Sequence, residues 1–297
     1  MIIDTFMFNQ DFAALEIRLA ELYDVVDMFI ISESCFTHSG LSKKLHLSEN
    51  LHLFNKYTDK MTIIVERKRH FTKNARIREM HQRNTISKHL KTLPLSEKDL
   101  IVHSDCDEIP KSSILIELSI AKGKCNALLE LNNYINYLNM ESGTWLRGRV
   151  ISGNLYKSIQ NMRQDIFLFN NYDKRRHKIS FIRISDFWTA RIFYLWKLPQ
   201  YCKKPNLQIV RNAGWHFNNL ITADQIIQKI ESSSHTESNT EAIKAKAIFN
   251  YKKGRCVITG HQYYSVPIDD SYPKIVKENL EKWENFIFKT KQNNDFS

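Results

Sequence analysis

Two aspartates stand two residues apart where an apolar segment of the sequence ends. Residues 99–104 have the composition of a buried strand, and Asp105 and Asp107 follow it before Pro110 stops it. In an extended segment, side chains two residues apart point to the same side, so we expect the carboxylates to converge while Cys106 points away. Converging carboxylates form a hard oxygen site for Mn²⁺ or Mg²⁺ that keeps positions open for substrate phosphates. A solvated acidic turn is the alternative, because an Asp-x-Asp triplet alone is common.

An imidazole later in the chain is the second candidate ligand. His216 follows Gly214 and Trp215 where a predicted strand passes into a loop. A histidine there could complete the shell of a divalent metal or bind a diphosphate. The alternative is a buried structural histidine that is hydrogen-bonded beside Trp215.

The elements that must position these residues alternate between strands and helices. The pattern predicts strands at residues 2–8, 25–33, 61–65 and 99–104, with helices at residues 12–22 and 74–90. We expect Asn74 to cap the second helix, and Arg18 to lie on a polar face of the first. Strands separated by helices form parallel sheets that are covered on both faces, so an α/β fold is predicted.

The later chain is predicted to be more β-like and then helical. Strands are expected at residues 127–137, 149–156, 165–169 and 181–184, followed by a helix that begins with a capping box at residues 222–225 and runs through Ile230. Trp283, Phe286 and Phe288 are expected to dock a polar helical tail. The prediction is one domain over residues 1–297, with an α/β core at 1–220 and a helical extension at 221–297.

Composition and absent motifs exclude several classes of protein. The 297 residues carry 43 Lys and Arg against 32 Asp and Glu, a net charge of +11. The basic clusters are dispersed and accompany no nucleic-acid-binding motif, so we expect no specific nucleic-acid partner. They suit a solvated surface, a polyphosphate-bearing ligand or an anionic membrane face. The glycine-rich dinucleotide and P-loop motifs, the zincin motif and the serine-hydrolase elbow are all absent.

The first residues enter a predicted strand directly, without the pattern of a signal peptide. No apolar stretch reaches the roughly 18 residues that a membrane span needs. The expectation is a cytoplasmic protein with at most peripheral membrane contact.

Three segments, taken together, resemble glycosyltransferase family 17, the family of the enzyme that adds the bisecting N-acetylglucosamine to N-glycans. These segments are residues 24–40, 104–110 and 213–217, with weaker likeness at residues 15–22 and 235–239. The resemblance implies a GT-A fold, a nucleotide-sugar donor such as UDP-N-acetylglucosamine, a divalent metal, and inversion at the anomeric carbon.

Residue roles follow from that resemblance and the predicted positions. Asp107, Asp105 and His216 are expected to hold Mn²⁺ or Mg²⁺ against the donor diphosphate. Residues after the second strand and on the basic helix are expected to contact the donor, together with Asp105. These donor-binding residues are Glu33, Thr37, Gly40 and Arg83.

An inverting transfer also needs a base that takes the proton of the acceptor hydroxyl. Asp165, Asp186, Glu141 and Glu237 are available, and spacing alone does not choose among them. We select Asp186 and Glu237 because each lies beside an aromatic or polar cluster.

The function predicted is metal-dependent, inverting transfer of a sugar, N-acetylglucosamine, from a UDP-sugar to a hydroxyl of a glycan or glycolipid acceptor. One alternative is a phosphoryl- or nucleotidyl-transfer enzyme that uses the same acidic site. The other is a non-catalytic glycan-binding module.

Overall fold

The structure is a computed structural model that describes residues 1–163 and 207–289. Its described residues form ten strands and seven α-helices around one curled sheet. The strands are β1 Ile2–Phe8, β2 Met28–Ser34, β3 Met61–Glu66, β4 Leu100–His103, β5 Glu108–Pro110, β6 Asn126–Ile135, β7 Met140–Ser152, β8 Gln208–Val210, β9 Gly214–Asn218 and β10 Tyr264–Ser265. The helices are α1 Phe12–Leu22, α2 His46–Glu49, α3 Ala75–Leu90, α4 Ser112–Ile120, α5 Gln225–Ser232, α6 Glu241–Lys252 and α7 Lys274–Lys277.

The first half of the sheet is parallel and has the strand order β3-β2-β1-β4. This is the order of the nucleotide-binding half of a doubly wound fold, in which ligands bind outside the carboxyl ends of the strands. Helix α3 packs against β1, β2 and β3. As predicted, the Asn74 side chain caps α3, accepting from the Arg76 amide at 2.9 Å. The α/β prediction is confirmed.

The second half of the sheet is mixed, in the order β7-β6-β9-β5. β7 is antiparallel to both β4 and β6, whereas β9 is parallel to β6 and antiparallel to β5. The short strand β5 therefore meets β9, which lies more than 100 residues further along the chain. This pairing brings His216 opposite Glu108, next to the predicted metal site.

Several predicted boundaries were wrong. β2 begins at Met28 rather than at residue 25, and β7 covers Met140–Ser152, where a strand was predicted only from residue 149. The strands predicted at residues 165–169 and 181–184 lie outside the described residues. At the capping box, Gln225 accepts from the Thr222 amide at 3.0 Å, and α5 begins at Gln225.

The C-terminal part packs onto the core, as the aromatic residues predicted. Trp283 is buried in an apolar cluster with Ile17, Trp215 and Tyr272, and the ring of Phe288 lies 5.3 Å from that of Tyr137. Besides its helices this part contributes β10, which pairs with β7. Among the described residues, no helix is long and apolar enough to cross a membrane.

Candidate functional site

The two aspartates lie in a turn at the carboxyl end of β4 rather than in an extended segment. The Glu108 amide donates to the Asp105 carbonyl oxygen at 2.9 Å, which closes a turn over residues 105–108. The predicted extended conformation of this segment was therefore wrong, whereas the predicted convergence of the two carboxylates stays a prediction. The Asp105 amide donates to the Glu108 carboxylate at 2.8 Å, so the Glu108 side chain stabilises the turn to which it belongs. We call residues 105–108 the acidic turn.

Arg18 anchors the acidic turn from α1. Its guanidinium is fully buried, donates to both carboxylate oxygens of Asp4, and donates to the carbonyl oxygens of Asp105 and Glu108, each at 2.9 Å. It also donates to the Ser104 hydroxyl at 2.8 Å. The expectation that Arg18 lies on a polar face was wrong, because the carboxylate of Asp4 and four backbone or hydroxyl acceptors, the Cys106 carbonyl oxygen at 3.5 Å included, replace its water shell. The position of the turn thus depends on one buried cation.

Asp105 is held by arginines. Arg163 donates to its carboxylate at 2.7 Å, and the Arg83 guanidinium lies 3.7 Å away. Burial alone would raise the pKa of Asp105, but Arg163 and then Arg83 outweigh it and keep the pKa well below the ordinary range of an aspartate. Arg163 also donates to Glu108 at 3.2 Å. Asp105 is therefore an anion at any physiological pH, although 35% of its side chain remains exposed.

Asp107 faces His216 across the β5–β9 pair. The distance between the Asp107 carboxylate and His216 Nε2 is 3.8 Å. Burial would raise the pKa of Asp107, but the His216 ring lowers it, with a further contribution from Lys229 on α5. Lys229 is ion-paired with Asp11 at 2.7 Å, and Asp11 and Asp107 raise its pKa against the effect of burial. The carboxylate of Asp107, the imidazole of His216 and the ammonium group of Lys229 thus lie near one another at this end of the sheet.

His216 sits in the middle of β9, not at a strand-to-loop transition as predicted. Its ring is stacked on Trp145, with centroids 4.8 Å apart and planes inclined by 25°. Trp145 in turn donates from Nε1 to the Glu108 carboxylate at 2.8 Å. The stack and this hydrogen bond fix the imidazole beside the acidic turn.

The potential metal ligands at this end of the sheet suit a divalent ion only in part. Two ligands bound to one ion at about 2.1 Å can be up to about 4.2 Å apart, so the 3.8 Å between Asp107 and His216 allows a shared ion. His216 Nδ1 and Asp105 Oδ1 are buried and have no hydrogen-bond partner among the described residues. Within residues 1–163 and 207–289, however, no group of three His, Cys, Asp or Glu side chains is arranged to hold a metal. An ion here would need further ligands from substrate or water.

Glu33 is occupied by the protein itself. Its buried carboxylate accepts from the Leu47 amide at 2.8 Å and from the Ser48 amide at 3.1 Å and hydroxyl at 2.9 Å. It thereby satisfies free amides in the first turn of α2. Contact between the Glu33 carboxylate and a nucleotide-sugar donor remains a prediction.

Thr37 and Gly40 form a tight turn after β2. The Thr37 hydroxyl accepts from the Leu41 amide at 2.9 Å, and Gly40 has a φ of +99°, which favours glycine. Arg78, on α3, donates to the carbonyl oxygen of His38 inside this turn at 2.6 Å. The loop after β2 is therefore tied to the same helix that carries Arg83.

The two candidate bases have different positions. Asp186 lies outside the described residues. Glu237 is 60% exposed, accepts from His235 at 2.9 Å and lies 3.6 Å from Arg76 at the start of α3. Because Arg76 and Arg83 are seven residues apart on α3, Glu237 pairs with the helix about two turns, or roughly 10 Å along its axis, before the residue that contacts Asp105.

Five residues of the site were missed. Arg18, Glu108, Trp145, Arg163 and Lys229 contact the acidic turn or its partners, but none was predicted to do so as a site residue. A signal for Arg18 exists in the sequence, because Asp4 interrupts the apolar strand at residues 2–8 and a buried carboxylate requires a cationic partner. The other four depend on strand pairings and loop paths that the sequence does not specify.

Comparison with known proteins agrees with this geometry. No curated protein matches the chain. The sequence model of glycosyltransferase family 17 matches residues 1–160, more than half of the chain, and this segment includes Arg18 and the whole acidic turn. The chain is therefore a glycosyltransferase and belongs to glycosyltransferase family 17.

Proposed function

We propose that this enzyme moves N-acetylglucosamine from a UDP-sugar to a hydroxyl of a glycan acceptor, with inversion and with a divalent metal. Transfer of a sugar from a donor to an acceptor follows from the family. The finer proposal rests on one observation, the Asp107–His216 pair at the carboxyl end of the sheet, in which the buried Nδ1 of His216 has no hydrogen-bond partner among the described residues.

Asp107 and His216 would hold Mn²⁺ or Mg²⁺, with Asp105 reaching the ion directly or through water. The ion would supply Lewis-acid stabilisation of the negative charge that grows on the departing nucleoside diphosphate. Mg²⁺ commonly binds one or two protein carboxylates and takes its remaining ligands from phosphates and water, which fits a two-ligand protein site.

The chain's own cations would bind the diphosphate. Arg83, Arg163 and Lys229 surround the acidic turn, and Arg163 is balanced at present by Asp105 and Glu108. Arginine forks match phosphate oxygens in pairs, whereas lysine acts as a point charge. Donor binding would draw these cations toward the phosphates and fix the leaving group for in-line attack.

Asp186 and Glu237 are the proposed bases for the acceptor hydroxyl. The His235 hydrogen bond lowers the pKa of Glu237, which keeps the carboxylate ionised but makes it a weaker base while that hydrogen bond lasts. Its position over the start of α3 suits contact with an acceptor that approaches from solvent.

The test is release of UDP by the purified full chain. We expect turnover of UDP-N-acetylglucosamine with Mn²⁺ or Mg²⁺, little or none after chelation, and less with GDP-sugars. Asp107→Asn and His216→Gln should each reduce turnover by two or more orders of magnitude, because each removes a metal ligand but preserves size. Asp270→Asn, at a fully exposed carboxylate, is the matched control and should behave as wild type.

Undiminished turnover after chelation, or in Asp107→Asn, would contradict the metal assignment. Hydrolysis of nucleoside triphosphates without any sugar transfer would instead support the phosphoryl-transfer alternative.

A further inference from the structure

The loop between β3 and α3, residues 67–74, combines an exposed aromatic ring with a run of cations. We call it the basic loop. We propose that the basic loop docks the enzyme on an anionic lipid bilayer, with Phe71 inserted among the acyl chains. This proposal goes beyond the donor chemistry and does not depend on the metal site.

The side chain of Phe71 projects into solvent. It is 91% exposed, the highest exposure among the large apolar side chains of the described residues. The Thr72 amide donates to the His70 carbonyl oxygen at 2.9 Å, so Phe71 is the central residue of a three-residue turn and projects from its apex. An aromatic side chain in this position loses the free energy that burial would provide, which a purely structural loop does not explain.

The neighbours of Phe71 are fixed, so its exposure does not follow from a loose loop. The His70 ring is stacked on His81 of α3, with centroids 3.9 Å apart and planes inclined by 2°. On the other side, Arg78 donates to the Thr72 carbonyl oxygen. The turn is thus tied to α3 before and after Phe71.

The charge of the loop is wholly positive. Arg67, Lys68, Arg69 and Lys73 are exposed, and residues 67–74 include no acid. None of these four cations forms an ion pair with any residue in the described part of the chain. Near an anionic leaflet, each such cation strengthens binding by a factor of roughly five. A hydrophobic side chain and a polybasic segment both contribute to binding at an anionic membrane surface.

The basic loop lies at the same edge of the sheet as the candidate active site. It follows the carboxyl end of β3, as the acidic turn follows the carboxyl end of β4, and these strands run parallel through β2 and β1. Helix α3 connects the two directly, since its first residues follow the basic loop and Arg83 on its third turn contacts Asp105. Docking through the basic loop would bring the site close to an acceptor at the membrane surface.

A bilayer explains the charges, Phe71 and Ile77 together, whereas an anionic polysaccharide explains only the charges and a single-stranded nucleic acid explains the charges and, by base stacking, Phe71. Ile77, 38% exposed at the start of α3, adds an aliphatic side chain that gains from acyl chains but cannot stack on a nucleic-acid base. We therefore assign the surface to lipid rather than to a nucleic acid or an anionic polysaccharide.

The test is sedimentation of the full chain with vesicles of phosphatidylcholine alone or mixed with phosphatidylglycerol. We expect binding to the mixed vesicles only, weakened by salt because screening shortens the reach of the charges. Phe71→Ala should lower partitioning about tenfold, as expected for one large apolar side chain. Combined Arg67→Gln, Lys68→Gln and Lys73→Gln should lower it by roughly a hundredfold. In Phe71→Trp, brominated acyl chains should quench the added tryptophan fluorescence.

The matched control combines Phe249→Ala, Lys252→Gln and Lys253→Gln, which removes an exposed phenylalanine and two exposed lysines elsewhere on the surface. This control should bind vesicles as wild type does, and Phe71→Ala should keep wild-type activity on soluble acceptors. Equal losses in the control and the basic-loop variants would overturn the proposal. So would vesicle binding that is insensitive to Phe71→Ala while heparin or RNA competes fully, since that result identifies a polyanion site.

Discussion

Arg18 and Asp105 are 87 residues apart in the sequence, yet the guanidinium of Arg18 donates to the Asp105 carbonyl oxygen at 2.9 Å. The contact is to backbone, so Arg18 determines where the acidic turn lies without touching its carboxylates. We regard Arg18 as a positioning residue for this turn.

Removing Arg18 alone should destabilise the fold. Arg18→Met leaves the buried carboxylate of Asp4 without a partner, which costs about 3–5 kcal/mol of unfolding free energy. Combined Asp4→Leu and Arg18→Met should recover much of that loss, because both buried charges are gone. Urea denaturation at neutral pH measures both effects.

The double variant also tests the positioning role. Its stability should be near wild type while kcat falls and the KM for donor changes less, because the acidic turn has lost its anchor. Normal kcat in a stable double variant would show that the turn holds its position without Arg18.

Gly214 should be essential for the pairing of β5 with β9. A Cβ atom at Gly214 would overlap the carbonyl oxygen of Ile109 and lie 2.8 Å from Pro110 Cα. Gly214→Ala should therefore separate the strands and move His216 away from Asp107, with loss of metal binding as measured by calorimetry. Gly143→Ala is the comparison, because it also has a positive φ of 80° but open space around the added methyl group. If metal affinity falls equally in both variants, backbone strain rather than strand separation is responsible.

Stability should decline in mild acid because of His103. Its Nδ1 donates to the Thr5 carbonyl oxygen at 3.0 Å, and Nε2 is buried without a partner among the described residues. Burial, with Arg163 and Arg83 nearby, lowers the pKa of His103 well below its usual value. The unfolded chain then binds a proton near pH 6.5 that the folded chain does not, so stability is lost as pH falls below about 6.5.

The predicted slope is up to about 1.4 kcal/mol per pH unit. His103→Gln should flatten the dependence of the urea midpoint on pH between neutrality and the ordinary carboxylate range. Parallel profiles for wild type and variant would assign the acid sensitivity to other groups, such as His38, whose pKa is also lowered by burial.

Mn²⁺ binding should be visible in the fluorescence of Trp145. The Trp145 ring is stacked on His216, so an ion on that imidazole would lie close enough to quench the indole. Mn²⁺ titration should reduce emission of wild type, and Trp145→Phe should lose that component while the other tryptophans are unaffected. Quenching that persists in Trp145→Phe would place the ion elsewhere.

The parallel half of the fold could be predicted because its signals are local. Strands β1 and β4 lie in mainly apolar runs, helix α1 has leucines at helical spacing, and Asn74 marks the start of α3. The aspartates could be singled out because they end an apolar run, but their turn could not, since it is stabilised by a hydrogen bond from the Asp105 amide to the side chain of Glu108.

The other half of the site was beyond prediction for a physical reason. β5 has three residues, too few to show any alternation. Its partner β9 is parallel to β6, and their paired residues Asn132 and Trp215 are 83 positions apart. His216 could be proposed only from its type and neighbours. Its contact with Asp107 is a product of strand order, which short segments do not encode.

The pairing of β5 with β9 has a consequence for biosynthesis. Residue 216 is made 108 residues after Glu108, a delay of roughly 5 to 20 seconds at the usual rates of translation. During that interval a nascent chain can form the β3-β2-β1-β4 half and the Arg18 anchor, because these involve only earlier residues. The emerging enzyme would thus hold a formed acidic turn next to an open sheet edge, and would become competent only when β9 closes it.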